Sequence, residues 1–323
     1  MKRAMSFRAV SWFAAASVLI GGLATSWVRA DEGLDINGQC VGDANQDGQV
    51  SVDELVTAVN NGLSGCPLMP ITLHFQGKVG DEVFACGNTY HDIGTAHTDF
   101  LPSDFRMYLY NIRLLTADGS DVPVRLVQDG VWQLDNLVLL DFENKVAPCS
   151  QGTTVTNTVV NGLIQPGNYT GVRFTLGVPF SRNHLDEATA PSPLNLSGMF
   201  WSWQDGYRFL RIDGFDTALD AYFVHLGSTG CVYGAQPGVI ASCARPNRSE
   251  ITLYHFDPTT NVIVADLAAL LSNSDVTANQ PNTSPGCQSD PTDQDCAPLF
   301  QNLGLDFSDG TPSPATQKFF RVE

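Results

Sequence analysis

Two groups of residues in this chain have the types and spacing to do chemistry. The first is a run of hard oxygen donors, Asp43-x-Asn45-x-Asp47-Gly48-Gln49-Val50-Ser51-x-Asp53-Glu54. It fits the twelve-position calcium loop. Asp43, Asn45 and Asp47 supply oxygens at positions 1, 3 and 5, and Gln49 offers its main-chain carbonyl at 7. Ser51 reaches at 9 directly or through water, and Glu54 is the bidentate carboxylate at 12. Gly48 permits the sharp turn and Val50 is the apolar plug. The second group is softer. His184 ends Gly177-Val-Pro-Phe-Ser-Arg-Asn-His184, His225 lies in Phe223-Val-His-Leu-Gly-Ser-Thr-Gly-Cys231, and Met199-Phe-Trp201-Ser-Trp203 falls between them. Strand alternation would put Met199, Trp201 and Trp203 on one face. Thioether, imidazole and indole gathered this way suit copper(I) better than a hard cation, although an aromatic core stripe has the same pattern.

Catalytic patterns are weak. The chain has no Gly-x-Ser-x-Gly, His-Glu-x-x-His or phosphate loop. Asp141 and Glu143 in Leu139-Leu-Asp-Phe-Glu143 could be a glycosidase pair, but on a strand they read better as partners of Arg113 or Arg173. The remaining histidines, His74, His91, His97 and His255, form no His-x-His or i,i+4 pair. The chain therefore reads as a binding protein and not an enzyme.

These residues need elements to hold them. Residues 1–30 read as a signal peptide: Lys2, Arg3 and Arg8 precede an apolar run from Val10 to Leu23, and Val28-Arg29-Ala30 offers a cleavage site before Asp31. That run is short for a membrane span, which needs about 20 apolar residues, and no later segment is better. A periplasmic or secreted protein is expected. The leader carries four basic residues and no acidic one, so its removal takes the formal charge from −17 to −21. Such a surface repels phosphate backbones and makes nucleic acid a poor partner. All eight cysteines follow the leader, an even number without Cys-x-x-Cys. Four disulfides are expected, and the preferred local pairing is Cys40–Cys66, Cys86–Cys149, Cys231–Cys243 and Cys287–Cys296.

Residues 31–68 form a small EF-hand or dockerin-like unit, with the calcium loop running into an amphipathic helix whose Leu55, Val56, Val59 and Leu63 share a face. Only one loop is present, so a structural calcium clip is the better reading than a cohesin-binding pair. Residues 69–323 are mainly β: short β-prone runs broken by Gly, Asn, Asp and Pro predict an antiparallel β-sandwich-like domain with long loops. The predicted strands include 71–75, 105–115, 131–141, 153–164, 169–178, 200–212, 221–226 and 250–256. Only 264–271 is predicted helical, and 272–298 is read as a polar loop pinned by Cys287 and Cys296.

Four ordered motifs carry a resemblance: Leu139-Leu-Asp-Phe-Glu-Asn144, Leu176-Gly-Val-Pro-Phe-x-x-Asn-His184, Met199-Phe-Trp-Ser-Trp-Gln-x-Gly-Tyr-x-Phe209 and His225-Leu-Gly-Ser-Thr-Gly-Cys231. Together they resemble the MbnP family of periplasmic copper-binding proteins with a four-cysteine motif. The resemblance spans roughly residues 70–305 and leaves out the calcium unit. It implies a β-sandwich-like domain served by a MauG/MbnH-like dihaem enzyme that oxidises a tryptophan to kynurenine. Carried onto this chain, it makes His184 and His225 copper ligands, Trp201 or Trp203 the modified residue, and Met199 a soft neighbour. Trp132 is a weaker candidate. A calcium-dependent extracellular surface or adhesion protein, with a non-catalytic β binding domain, is the other reading of the same features.

The calcium loop gives the first prediction. Asp43→Ala should abolish the uptake of one calcium by residues 43–54 and, with it, calcium protection of the small unit from proteolysis. Calorimetric titration of parent and variant checks this; equal uptake would remove the loop from the account.

Overall fold

The strand Thr98–Thr116 pairs with five others and organises the larger sheet. The computed structural model describes residues 49–64, 67–218, 220–236 and 238–323. The leader, Asp43, Asn45, Asp47, Cys40 and Cys66 lie outside the described residues. The chain divides into two compact units, before and after Asn60.

In the first unit and its exit, helix Val52–Ser64 begins with a reciprocal cap. Ser51 N–H donates to Glu54 Oε2 at 2.8 Å and Glu54 N–H donates to Ser51 Oγ at 3.3 Å. This is a capping box, which satisfies two otherwise orphaned helix-start donors. Ser51 and Glu54, both expected to meet calcium, therefore have a helix-starting role as well. The apolar residues Leu55, Val56, Val59 and Leu63 are all exposed.

The second unit is mainly β, as expected, with two large sheets among the described residues. The first runs Phe320–Val322, Val262–Asp266, Met69–Val79, Val159–Ile164 and Arg125–Leu126, with Glu82–Val83 added to Met69–Val79. The second runs Ser249–Tyr254, Tyr169–Leu176, Thr98–Thr116, Leu210–Phe215, Ala221–Leu226 and Gly286–Cys287. Period-2 alternation builds the core between them: Leu73, Phe75 and Val79 are buried while His74 is exposed. Rings from the two sheets meet, with Phe75 and Phe174 centroids 5.8 Å apart and Phe174 and Phe320 5.0 Å apart.

Three expectations are corrected. The sheets are mixed: Met69–Val79 pairs parallel with Val262–Asp266, and Ala221–Leu226 pairs parallel with Gly286–Cys287. The segment 264–271 is not all helix. Val262–Asp266 is a buried strand, and only Leu267–Leu271 is helical, capped by the Asp266 carboxylate accepting from Ala268 and Ala269 N–H. A short apolar run does not distinguish the two states, and the place beside Met69–Val79 decides. The loop 272–298 likewise contributes Gly286–Cys287 to the sheet and opens the helix Cys296–Asn302.

Three of the expected disulfides are formed, Cys86–Cys149, Cys231–Cys243 and Cys287–Cys296. Gly214 shows how tightly the sheet packs. A Cβ there would fall 2.2 Å from Cζ of the buried Phe100. Gly214→Ala should therefore destabilise the domain by about 2 kcal/mol, the usual scale of overpacking. Denaturant unfolding checks this, and an unchanged midpoint would show that Phe100 can yield.

Candidate metal and tryptophan site

The chain reaches the site through a tight hairpin. Phe200–Ser202 pairs with Gly206–Tyr207 across a turn. Met199 is not on that strand face. It ends a short 3-10 turn and is fully buried in the hydrophobic core, while Trp203 sits in the turn and is 40% exposed. Only Trp201 lies on the strand, because the strand is three residues long. The expected shared face of Met199, Trp201 and Trp203 is thus broken.

Trp201 is held between a cation and an imidazole. The Arg208 guanidinium lies 5.2 Å from the indole centroid, within cation–π range. The His225 ring meets it edge-on at 6.1 Å. Gly227 completes the cage, since a Cβ there would come within 2.5 Å of the indole. Burial lowers the Arg208 pKa to about 10, so it stays charged at neutral pH.

His225 is backed by a carboxylate. Its Nε2 is 2.5 Å from Asp213 Oδ1, and its Nδ1 is 3.3 Å from Gln288 Oε1. Burial pushes the Asp213 carboxyl up, but hydrogen bonds from His225 and Arg211 outweigh this and hold its pKa at about 2. An ionised Asp213 only accepts, so Nε2 donates to it, while Nδ1 faces the Gln288 side-chain oxygen at the cavity. A carboxylate on the far nitrogen is the usual arrangement behind a metal-ligating histidine. On the same side, a cavity of about 430 Å³ is lined by Trp201, Gln288, Asp205, Asp290 and Asp293, among others.

His184 follows the short helix Phe180–Asn183. It meets a different group: its Nε2 is 3.6 Å from Cys243 Sγ. Its Nδ1 is buried without a hydrogen-bond partner. Burial lowers its pKa, so the ring is neutral at neutral pH with a lone pair to give. Trp203 donates Nε1–H to Gly238 O at 2.9 Å. Among the described residues, the clusters of three potential ligand atoms are His184 with Cys231 and Cys243, and Glu143 with Cys86 and Cys149; neither includes His225. Trp132 packs against the core at a distance in sequence from both histidines.

The residues that sequence reading missed are charged and buried. Asp104 bridges Arg106 and Arg211, and Arg211 bridges on to Asp213. Gly198 admits both guanidiniums to the main chain: a Cβ there would meet Arg106 Nη2 at 2.7 Å and Arg211 Nη1 at 2.9 Å. Arg211-x-Asp213 was a readable signal, two opposite charges on one strand face. Asp141 and Glu143 face this network too. Arg106 sits directly opposite Asp141 in the sheet, whereas Arg113 and Arg173 both bind Asp121. Arg113 and Arg173 are therefore not the partners; the nearby cation is Arg106, which is paired with Asp104 and acts on Asp141 and Glu143 through its charge.

This fold and site define a two-sheet β domain with a carboxylate-backed histidine and a caged tryptophan. The chain belongs to the MbnP family, whose model matches residues 69–289. A solved structure, MbnP from Methylosinus trichosporium, is 28% identical, superposes with a TM-score of 0.69, and covers 79% of this chain and 98% of its own. No curated protein matches the sequence. Among the described residues no helix is long and apolar enough to cross a membrane.

The buried acids give a pH prediction. Burial raises the Asp141 pKa from 3.8 to about 7, with Arg106 opposing and Glu143 reinforcing. The folded state then holds a proton that the unfolded state has released, so stability is greatest below about pH 4 for this group and is lost as pH rises towards 7. Asp141→Asn should remove that loss. The gap between variant and parent melting temperatures should widen in the variant's favour from pH 4 to pH 7.5; a constant gap would show that Asp141 ionises freely.

Proposed function

We propose that this chain is a non-catalytic, exported copper-binding protein whose site is completed by oxidation of a tryptophan. The reading rests on membership of the MbnP family, and one observation carries it to particular residues. Trp201 forms the wall of an acidic cavity with its indole 6.1 Å from His225, whose other nitrogen is tied to Asp213. His225 Nδ1 and His184 are the imidazole donors. Both fit a soft cation: His225 has its supporting carboxylate, and His184 has an orphaned buried nitrogen. Copper is the cargo, for acquisition, storage or delivery in the periplasm or outside the cell.

A MauG/MbnH-like dihaem enzyme is the partner in this reading. Kynurenine formation opens the five-membered ring and leaves an aryl amine and a ketone, so an apolar wall gains a donor. Trp201 is the better-placed substrate, because it faces the cavity and His225. Trp203 is the alternative, being exposed and next to His184 in the turn. The acidic lining of Asp205, Asp290 and Asp293 would draw a cation towards the site. Calcium in the 43–54 loop belongs to the small unit and supports no step here.

The test is expression with and without the dihaem partner. Protein made alone should bind little copper. Co-expression should change one tryptophan by the loss of a carbon and the gain of an oxygen, and should raise copper to about one per chain. Trp201→Phe should abolish both changes, and His184→Ala and His225→Ala should each lose the metal while keeping the fold. The reading fails if unprocessed protein binds copper as well as the processed form, or if both histidine variants retain it. A mass change confined to Trp203 would move the site to the turn.

A further inference from the structure

The hairpin Thr229–Tyr233 with Ile240–Arg245 places Cys231 directly opposite Cys243. The pairs Thr229–Arg245 and Val232–Ser242 flank that position. Opening the disulfide would therefore leave the two sulfurs facing each other, held by the main-chain ladder. His184 completes a triangle: its ring nitrogen and both sulfurs lie within 4.8 Å of one another.

The spacing is informative. A thiolate about 2.3 Å and an imidazole about 2.0 Å from one trigonal ion stand about 3.8 Å apart. Cys243 Sγ and His184 Nε2 are already 3.6 Å apart. The sulfur pair would have to separate from its bonded distance to about 4 Å, which side-chain rotation supplies without moving the strands. Access is adequate, because Cys243 is only half-buried while Cys231 is buried. Asn183 Nδ2, 3.3 Å from His184 Nε2, is a hydrogen-bond neighbour that the metal would displace there.

We infer that Cys231, Cys243 and His184 form a second, redox-gated site that takes one copper(I) when the disulfide is reduced. The step is a two-electron reduction: the S–S bond breaks, each sulfur leaves as a thiol, and each loses its proton on binding the metal. In the cell the reductant class is a dithiol protein, which leaves as its own disulfide. In the test it is a trialkylphosphine, which takes one oxygen from water and leaves as the phosphine oxide. This site precedes and does not need the oxidised tryptophan. In the disulfide form the same histidine is released to the imidazole set.

The site is also wired to the tryptophan hairpin. Gln204 Nε2 donates to Cys231 O at 2.8 Å, and Trp203 Nε1 donates to Gly238 O. A metal held by the sulfurs would thus sit against the segment that the partner enzyme must reach.

The experiment uses the mature full chain made without the dihaem partner, in a Trp201→Phe background, so that its outcome is separate from kynurenine formation. After phosphine reduction and removal of reductant, copper(I) is titrated against a colorimetric chelator. One copper per chain should bind, with a thiolate-to-copper absorption in the ultraviolet that the oxidised protein lacks. Cys231→Ser/Cys243→Ser should lose it, and His184→Gln should weaken it by about tenfold or more. Cys86→Ser/Cys149→Ser should retain it, which separates this site from the Glu143 cluster. Circular dichroism checks the fold of each variant, and His184→Gln serves where the double serine variant unfolds. No gain of copper on reduction, full affinity in His184→Gln, or loss confined to Cys86→Ser/Cys149→Ser would each overturn the inference.

Discussion

The arrangement around Trp201 depends on a largely buried chain of ion pairs that ends at His225. Arg106, Asp104, Arg211, Asp213 and His225 follow one another from the sheet centre to the cavity. Asp104 is fully buried, and burial raises its pKa in spite of two arginines. Such a chain is a poor source of net stability, since desolvation of each ion takes back much of the Coulombic gain. Its effect is positional. Each guanidinium fork has fixed donor directions, so Asp213 is set by Arg211, and the His225 ring is set by Asp213. Removing one member would strand a buried charge, which makes the chain hard to alter piecemeal.

The same chain fixes the entry to the hairpin. Arg208 and Arg211 both donate to Gly198 O, and Arg208 also donates to Phe200 O. The 3-10 turn before Phe200 is therefore pinned from beneath, while Met199 anchors it in the core. From above, Ser202 Oγ donates to Asp205 Oδ2 and Asn183 Oδ1 accepts from Tyr207 N–H. A two-strand hairpin this short is not stable by itself. Its precision is borrowed from charged groups below and from the His184 turn beside it. That explains why His184 and His225, 41 positions apart in sequence, both belong to the surroundings of one hairpin.

Much of this was legible before any coordinates. Alternation located the strands Met69–Val79 and Ser249–Tyr254, each with one face more buried than the other, and β-prone composition located Thr98–Thr116, which is buried on both faces from 102 to 109. The three described disulfides followed from local spacing. Alternation failed at Met199, where the chain makes a 3-10 turn, and at Val262–Asp266, which is buried too evenly to show a period. Parallel pairing was invisible because it joins segments nearly two hundred residues apart, His74 with Val262. The site residues read from motif were the uncharged ones and the histidines. Asp104-x-Arg106 and Arg211-x-Asp213 carried only the weak signal of opposite charges on one strand face, and charged residues are ordinarily surface residues. Their burial is a product of the fold, so only the partners revealed by the sheet register give them a role.

The electrostatics of the tryptophan have a further consequence. A guanidinium over the indole stabilises the electron-rich neutral ring and opposes removal of an electron from it. Oxidation of Trp201, as proposed, would therefore need negative charge close by. Asp213 supplies it through His225, and Asp205 lines the cavity at the ring. The chain's large acidic excess acts in the same direction over longer range, weakened by salt beyond about 8 Å. Charge that favours an oxidised ring is also charge that favours a bound cation. In the proposed reading, one acidic cavity would therefore serve both ends, easing oxidation of the ring and drawing a cation to the donor that oxidation creates.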